Sequence, residues 1–386
     1  MDSVNKKGVV VIGSTGSIGQ QALEVLAGLR ERFRVVGLAA GRNYALLLDQ
    51  ARLFHPKLLW CDQGGPHEAP DIHRLPMEEM AAHPEADIVL VATVGKAGLA
   101  PTLAALRAGK TVALANKEVL VMAGHLVMAA AREHGGQVRP VDSEHSAIWQ
   151  CLWGEDPRAI SRLMLTASGG PFRDWPLAEL SRVTAEEALR HPTWSMGPKI
   201  TVDSATLLNK GLEVIEARWL FDVPFERIEI VLHRESIVHS LVEFRDGSVK
   251  AQLGLPDMRL PIQLALTYPE RLPASAPRLE LGSVGALHFE AVDRQRFPCL
   301  ELALEAGRRG GTYPAVLAAA DEVAVGLFLT GSIGFLDIPR LLADSLEAHQ
   351  PIANPSLEEI LAADTWARAW LDERLRAGPQ ARVGWV

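Results

Sequence analysis

The run Val9-Val10-Val11-Ile12 leads without a break into Gly13-Ser14-Thr15-Gly16-Ser17-Ile18-Gly19, and helical spacing of apolar residues follows at 20–29. Four consecutive apolar residues are too few for a helix but suit a strand buried on both faces. A glycine-rich turn between such a strand and a helix lets a pyrophosphate reach backbone amides at the helix N-terminus. The spacing is G-x-x-G-x-x-G rather than G-x-G-x-x-G, and glycines alone also make turns without a ligand. Here the alternation persists. Strand candidates recur at 35–39, 58–61, 88–93, 111–115 and 138–141, with helix-like segments at 44–54 and 101–108. That pattern predicts an N-terminal Rossmann-like, doubly wound parallel sheet over 1–142, and with it a dinucleotide site.

The pattern then changes. Residues 143–273 predict a central α/β catalytic domain with Gly- and Pro-rich loops and β-runs at 228–231, 240–244 and 248–253. Residues 274–311, with several prolines and little periodicity, predict a connecting arm. Helical spacing at 314–328, 338–348 and 357–375 predicts a C-terminal helical domain over 312–386.

The end of the second strand selects between nicotinamide cofactors. NAD sites place an acid there for the ribose hydroxyls, and NADP sites offer a cation to the 2′-phosphate. This chain has Ala39-Ala40-Gly41-Arg42-Asn43, with no acid and one arginine, which favours NADPH.

A second chemistry-bearing cluster starts at Val141-Asp142-Ser143-Glu144-His145. If a strand ends at Val141, extended backbone points Asp142 and Glu144 to one side. Two carboxylates held together need a cation or a proton. Glu213 is a third candidate, sharing a helix face with Asn209 and with Lys210 at its edge. Three hard oxygen donors without cysteine suit Mg²⁺ or Mn²⁺, whereas an acidic pair alone is commonly a solvated edge or a helix cap. His145 reads as a packing residue beside these acids.

Three motif groups carry a family resemblance. The first is Asp142-Ser143-Glu144-His145 with Thr166-Ala167-Ser168-Gly169-Gly170-Pro171-Phe172-Arg173. The second runs from His191-Pro192-Thr193-Trp194-Ser195-Met196-Gly197-Pro198-Lys199 through Val202-Asp203-Ser204-Ala205-Thr206 to Asn209-Lys210-Gly211-Leu212-Glu213. The third is His233-Arg234-Glu235-Ser236-Ile237-Val238-His239-Ser240, Pro256-Asp257-Met258-Arg259 and Arg296-Phe297-Pro298-Cys299-Leu300. With the Gly13 turn and Ala115-Asn116-Lys117-Glu118, these resemble 1-deoxy-D-xylulose 5-phosphate reductoisomerases over nearly the whole chain.

The resemblance implies roles. Asp142, Glu144 and Glu213 would hold the divalent ion, and Ser168, Ser204, Asn209 and Lys210 the substrate phosphate. Lys117, Ser143 and His191 would also contact substrate, as would Glu144 and Glu213, with Lys117, Glu144, Glu213 and His191 as catalytic candidates. Thr15, Gly16, Ser17, Ile18, Gly41, Arg42, Asn43, Asn116, Glu118 and Gly197 would line the NADPH site. Residues 191–198 would form a mobile lid with Trp194 partly exposed. The implied reaction rearranges 1-deoxy-D-xylulose 5-phosphate by retro-aldol cleavage and re-addition. Reduction then gives 2-C-methyl-D-erythritol 4-phosphate, a step of the non-mevalonate isoprenoid precursor pathway. A homodimer is implied too. The chain departs from the family pattern at Lys96, where a small residue is usual and cofactor affinity is at stake. It departs again in Leu317-Ala318-Ala319-Ala320-Asp321-Glu322, where asparagines are usual.

Composition narrows the partners. A net charge of −8 argues against nucleic acid or an anionic membrane, so a phosphate site must be built locally from amides, hydroxyls and lysine. No apolar run approaches membrane-spanning length, the N-terminus has no room for a secretory signal, and Cys61, Cys151 and Cys299 have no ligand spacing. The expectation is a cytoplasmic enzyme. A metal-independent dehydrogenase on the same nucleotide fold and a non-catalytic NADP sensor are the rival readings.

Overall fold

The computed structural model describes residues 6–62, 73–194 and 196–376. Residues 1–5, 63–72 and 377–386, and Ser195 within the 191–198 segment, lie outside the described residues. Among the described residues the N-terminal part forms a seven-stranded parallel sheet: β1 (Lys7–Ile12), β2 (Phe33–Ala40), β3 (Leu58–Cys61), β4 (His73–Arg74), β5 (Ile88–Val91), β6 (Thr111–Leu114) and β7 (Gln137–Pro140). The order β4-β3-β2-β1-β5-β6-β7 reverses direction at β1/β5, and that is where the Gly13 turn leaves the sheet. Open α/β sheets bind ligands at such switch points, beyond the C-terminal strand ends. The doubly wound reading holds.

Val9 and Val11 point to one face of this sheet, and Val10 and Ile12 to the other. The first face packs on helix Ser17–Gly28 and on Arg259–Thr267, which returns from much later in the chain. The second face joins a larger core with helix Lys117–His134, helix Leu208–Phe221 and the C-terminal helices. The seven-stranded sheet, helices Lys117–His134 and Leu208–Phe221 and the C-terminal helices therefore share apolar packing, which fixes their relative positions.

A second, five-stranded sheet is mixed: β8 (Ile160–Ala167), β9 (Ile228–Leu232), β10 (Val238–Phe244), β11 (Val249–Leu253) and β12 (Glu290–Ala291), in the order β11-β10-β8-β9-β12. β8 is its central strand, and it carries no clear period-2 pattern in the sequence because both its faces are partly covered.

Helix Pro298–Arg309 lies inside the span expected to be a connecting arm. Its buried residues Cys299, Leu300, Ala303, Leu304 and Ala306 form one stripe that packs on Leu208–Phe221. Proline suits the first helical turn, so Pro298 begins this helix and does not break it. Helices Tyr313–Leu329, Asp337–Ala348 and Leu357–Arg376 follow as the periodicity predicts. No helix among the described residues is long and apolar enough to cross a membrane.

Candidate active site

Gly13 sits at φ +91°, and a Cβ there would run into the backbone of Ala92 and Thr93 just past the end of the neighbouring strand β5. Only glycine lets β1 turn this tightly. Helix Ser17–Gly28 begins at Gly16 with no side-chain cap, so its first amides stay available to an anion. At the end of β2, Arg42 is exposed and makes no ion pair among the described residues. Asn43 caps the next helix by accepting from the Leu46 amide at 3.1 Å. Asn116 is spent on structure. Its amide donates to Thr93 O and Gly95 O at 3.0 Å each, while its oxygen accepts from the Val119 amide.

The expected route to paired carboxylates is wrong in detail. β7 ends at Pro140, Asp142 is the N-cap of helix Ser143–Cys151, and Glu144 lies in that helix's first turn. The extended i, i+2 relation therefore does not apply. The first helical turn instead gathers both side chains near the positive end of the helix dipole. Helix Leu208–Phe221 brings Glu213 to them, and ligand oxygens of Asp142, Glu144 and Glu213 lie within 4.8 Å of one another.

Two lysines balance these acids. Lys117 Nζ stands 2.8 Å from Asp142 Oδ2 and 3.7 Å from Glu213 Oε1. Burial pushes the Lys117 ammonium down, but Asp142, Glu213 and Glu216 outweigh it and hold it above its ordinary range. Lys210 Nζ lies 3.0 Å from Glu144 Oε1 and also pairs with Glu213 Oε2. Burial, then repulsion from Glu144, pushes Glu213 up to about 8, so this carboxyl gains most from an added cation. Asn209 donates to Glu213 Oε1 at 2.5 Å, leaving its own Oδ1 without a partner. The all-oxygen donor set, buried yet open to the cleft, fits a hard divalent ion. His145 is fully buried with Nε2 2.9 Å from Glu213 O. Because a carbonyl only accepts, Nε2 carries the proton, and His145 braces the helix that presents Glu213.

A second polar group stands beside the first. His191 Nδ1 accepts from the amides of Thr193 and Trp194 at 3.2 and 2.9 Å. The proton is therefore on Nε2, which faces Ser168 Oγ at 3.0 Å and Ser204 Oγ at 3.1 Å. Burial, then Arg173, pushes His191 down to about 4, so it is a neutral donor near pH 7. Gly170, at φ +68°, allows the loop after β8 to approach the backbone of Ser204 and Ala205 in helix Pro198–Thr206. Leu207, at φ +57°, joins that helix to Leu208–Phe221. A left-handed leucine costs roughly 1–2 kcal/mol, offset by burying its side chain, and the bend turns Ser204 and Glu213 toward the same space.

One cleft of about 1090 Å³, open to solvent, contains both groups. Of the residues singled out by sequence, Ser17, Ile18, Lys117, Asp142, Ser143, Glu144, Ser168, His191, Gly197, Ser204, Asn209, Lys210 and Glu213 line it. Thr15, Gly16, Gly41, Arg42, Asn43, Asn116 and Glu118 do not, and Glu118 instead points a buried carboxylate toward Lys199 at 3.5 Å. Asn209 and Lys210, expected with the two serines, turn toward the acids. Lys96 lies 2.5 Å from the buried Asp364 of helix Leu357–Arg376, so its ammonium ties the segment after β5 to that C-terminal helix. Sequence reasoning missed Gln21 and Ile200 in the wall, where no local signal marks them, and gave no role to Met258 although its motif was singled out. Trp194 is half-buried, 6.0 Å from the ring of His239.

A glycine-rich turn at a switch point, facing a cleft with three carboxylates and a hydroxyl-imidazole cradle, defines a dinucleotide-linked, metal-assisted enzyme acting on an anionic substrate. Family profiles make the assignment specific. The one described as 1-deoxy-D-xylulose 5-phosphate reductoisomerase matches residues 9–72 and 72–124, its C-terminal domain matches 138–221, and the DXP reductoisomerase C-terminal domain matches 253–370. The 1-deoxy-D-xylulose 5-phosphate reductoisomerase of Pelotomaculum thermopropionicum is 56% identical over 376 residues, covering 94% of this chain and 97% of that protein. The Zymomonas mobilis enzyme solved with NADPH shares 42% identity and a TM-score of 0.88, over 96% of this chain and 99% of that one. A DOX-P reductoisomerase solved with NADPH, fosmidomycin and magnesium gives 39% and 0.90, over 96% and 98%. The chain belongs to the 1-deoxy-D-xylulose 5-phosphate reductoisomerase family.

Proposed function

We propose that this chain converts 1-deoxy-D-xylulose 5-phosphate to 2-C-methyl-D-erythritol 4-phosphate, using NADPH and Mg²⁺ or Mn²⁺. The observation that carries the reading is one cleft holding the Asp142, Glu144 and Glu213 cluster and the Ser168, His191 and Ser204 cluster, opening on the Ser17–Ile18 turn. Asp142, Glu144 and Glu213 hold the divalent ion, and once bound it supplies Lewis acidity while the nicotinamide supplies hydride.

The chain's own residues do the rest. Ser168 and Ser204 offer hydroxyls to the phosphate, His191 donates from Nε2, and Lys210 and Asn209 turn from the acids to complete the cradle. Phosphate held away from the reacting carbons supplies binding energy that orients them. Lys117, 2.8 Å from Asp142, is placed to hold or move a proton at the substrate oxygens, with Ser143 and Glu144 beside it. Arg42 pairs with the 2′-phosphate of NADPH. Thr15, Gly16, Ser17 and Ile18 receive the pyrophosphate, and Gly41, Asn43, Asn116, Glu118 and Gly197 shape the remaining cofactor wall. Residues 191–198 close over substrate and exclude water. Division into 1–142, 143–273, 274–311 and 312–386, a cytoplasmic location and a homodimer complete the reading.

The test is loss of reduced-nicotinamide absorbance with purified protein, NADPH and 1-deoxy-D-xylulose 5-phosphate, with and without Mg²⁺ or Mn²⁺. Metal-dependent oxidation supports the reading. Metal-independent oxidation, or tight NADPH binding without turnover, would favour a simple dehydrogenase or a sensor.

A further inference from the structure

Helix Pro198–Thr206 carries two stripes. Ile200 and Ser204 face the cleft, while Lys199 and Asp203 face away from it toward the C-terminal helix Tyr313–Leu329. There Lys199 Nζ lies 2.7 Å from Asp203 Oδ2 and 2.7 Å from Asp321 Oδ2. Asp203 is 1% exposed and Asp321 0% exposed. Lys199 reaches only the Oδ2 atom of each carboxyl, and Asp203 Oδ1 and Asp321 Oδ1 are buried without a donor among the described residues.

We propose that Lys199, Asp203 and Asp321 form a buried clasp in which the two carboxyls share one proton, and that this clasp positions the C-terminal anchor of the 191–198 segment over the cleft. Two ionised carboxylates on one ammonium, out of water, leave a net buried anion, whereas a shared proton turns the second carboxyl into a donor for the first. The surroundings push the same way. Glu118 of helix Lys117–His134 adds a third carboxylate 3.5 Å from Lys199, and Cys299 of helix Pro298–Arg309 faces the pair as a neutral thiol. Burial, then Asp321, pushes Asp203 up to about 8, and burial also raises Asp321. The anchor is direct: Lys199 follows Pro198, Gly197 O accepts from Thr201 Oγ1 at 2.8 Å, and Ser204 follows Asp203. Asp321 touches neither cleft nor cofactor turn, so it is a positioning residue.

The inference rests on the proposed role of 191–198, and two readouts separate its failure from failure of that role. The first is KM for substrate from about pH 6 to about pH 10 in the full-length protein, its Asp321→Asn variant and its Asp203→Asn variant. The amide keeps the shape and a donor but cannot lose a proton. Wild type should show KM rising up to about tenfold per pH unit above the titration, since closure then takes up one proton. Both variants should hold KM flat there, with kcat near pH 7 unchanged. The second readout is the infrared carbonyl band of protonated carboxyls, which should weaken on Asp321→Asn and needs no turnover. An unchanged band overturns the shared proton. A weakened band with the same KM-against-pH curve in all three proteins overturns the positioning role and leaves only a structural pair.

Discussion

Lys210 Nζ reaches Glu144 Oε1, 66 residues earlier in the chain, at 3.0 Å, joining the helix that starts after β7 to the helix that carries Glu213. One cation thus contacts a carboxylate of the candidate metal cluster while standing in the cleft that also holds Ser168, Ser204 and His191. Lysine binds phosphate as a flexible point charge, so the same side chain can serve both groups. Lys210→Met should raise KM for the sugar phosphate by about 10- to 100-fold, the equivalent of one charge-assisted hydrogen bond. Steady-state kinetics at saturating NADPH check this, and an unchanged KM would remove Lys210 from the phosphate cradle.

Glu213→Gln should lower kcat by at least about a hundredfold and leave NADPH affinity, read by nucleotide fluorescence titration, where it was. Activity within a few-fold of the parent would mean that Glu213 holds no catalytic ion.

The metal can be followed without turnover. Mn²⁺ at about a hundred times its dissociation constant should stabilise the wild-type fold by about 2.7 kcal/mol. Thermal unfolding should show the shift in wild type and lose most of it in Asp142→Asn. Equal shifts in both proteins would place the ion elsewhere.

Arg42→Ala should weaken NADPH by about one to two orders of magnitude and leave NADH nearly untouched, because only NADPH carries the 2′-phosphate. Parallel titrations with the two cofactors decide it. Equal losses would assign Arg42 to general surface charge.

His191 gives a pH prediction with a definite sign. Its folded-state pKa of about 4 lies below its ordinary 6.5, so its contribution to stability is complete above that ordinary value. That contribution is lost as pH falls toward the folded-state value. Wild type should therefore lose stability relative to His191→Gln as pH drops from 6.5 toward 4. Denaturant unfolding of both proteins across that window is the check, and parallel curves would contradict a depressed His191.

Much of this was legible in the residues themselves. The Gly13 turn, the alternation to 142 and the helices after 312 are local patterns, because strand and helix periods and glycine stereochemistry act within a few residues. The ordered motifs around Asp142, Ser168, His191, Ser204 and Glu213 named the chemistry through a family resemblance, without specifying its geometry. The third dimension decided the rest. Asp142 and Glu144 meet because a helix starts there, not because a strand ends, and hydrophobic spacing at 138–141 cannot tell the two apart. The helix Pro298–Arg309 was hidden by neighbouring prolines, since its apolar stripe gains meaning only against Leu208–Phe221. Lys210 turning to Glu144, and Lys199 gripping Asp203 and Asp321, depend on burial and on partners tens of residues away. Local sequence sets propensity and turn chemistry. Which charges lose their water, and which opposite charge then answers them, is settled only when the separate helices pack.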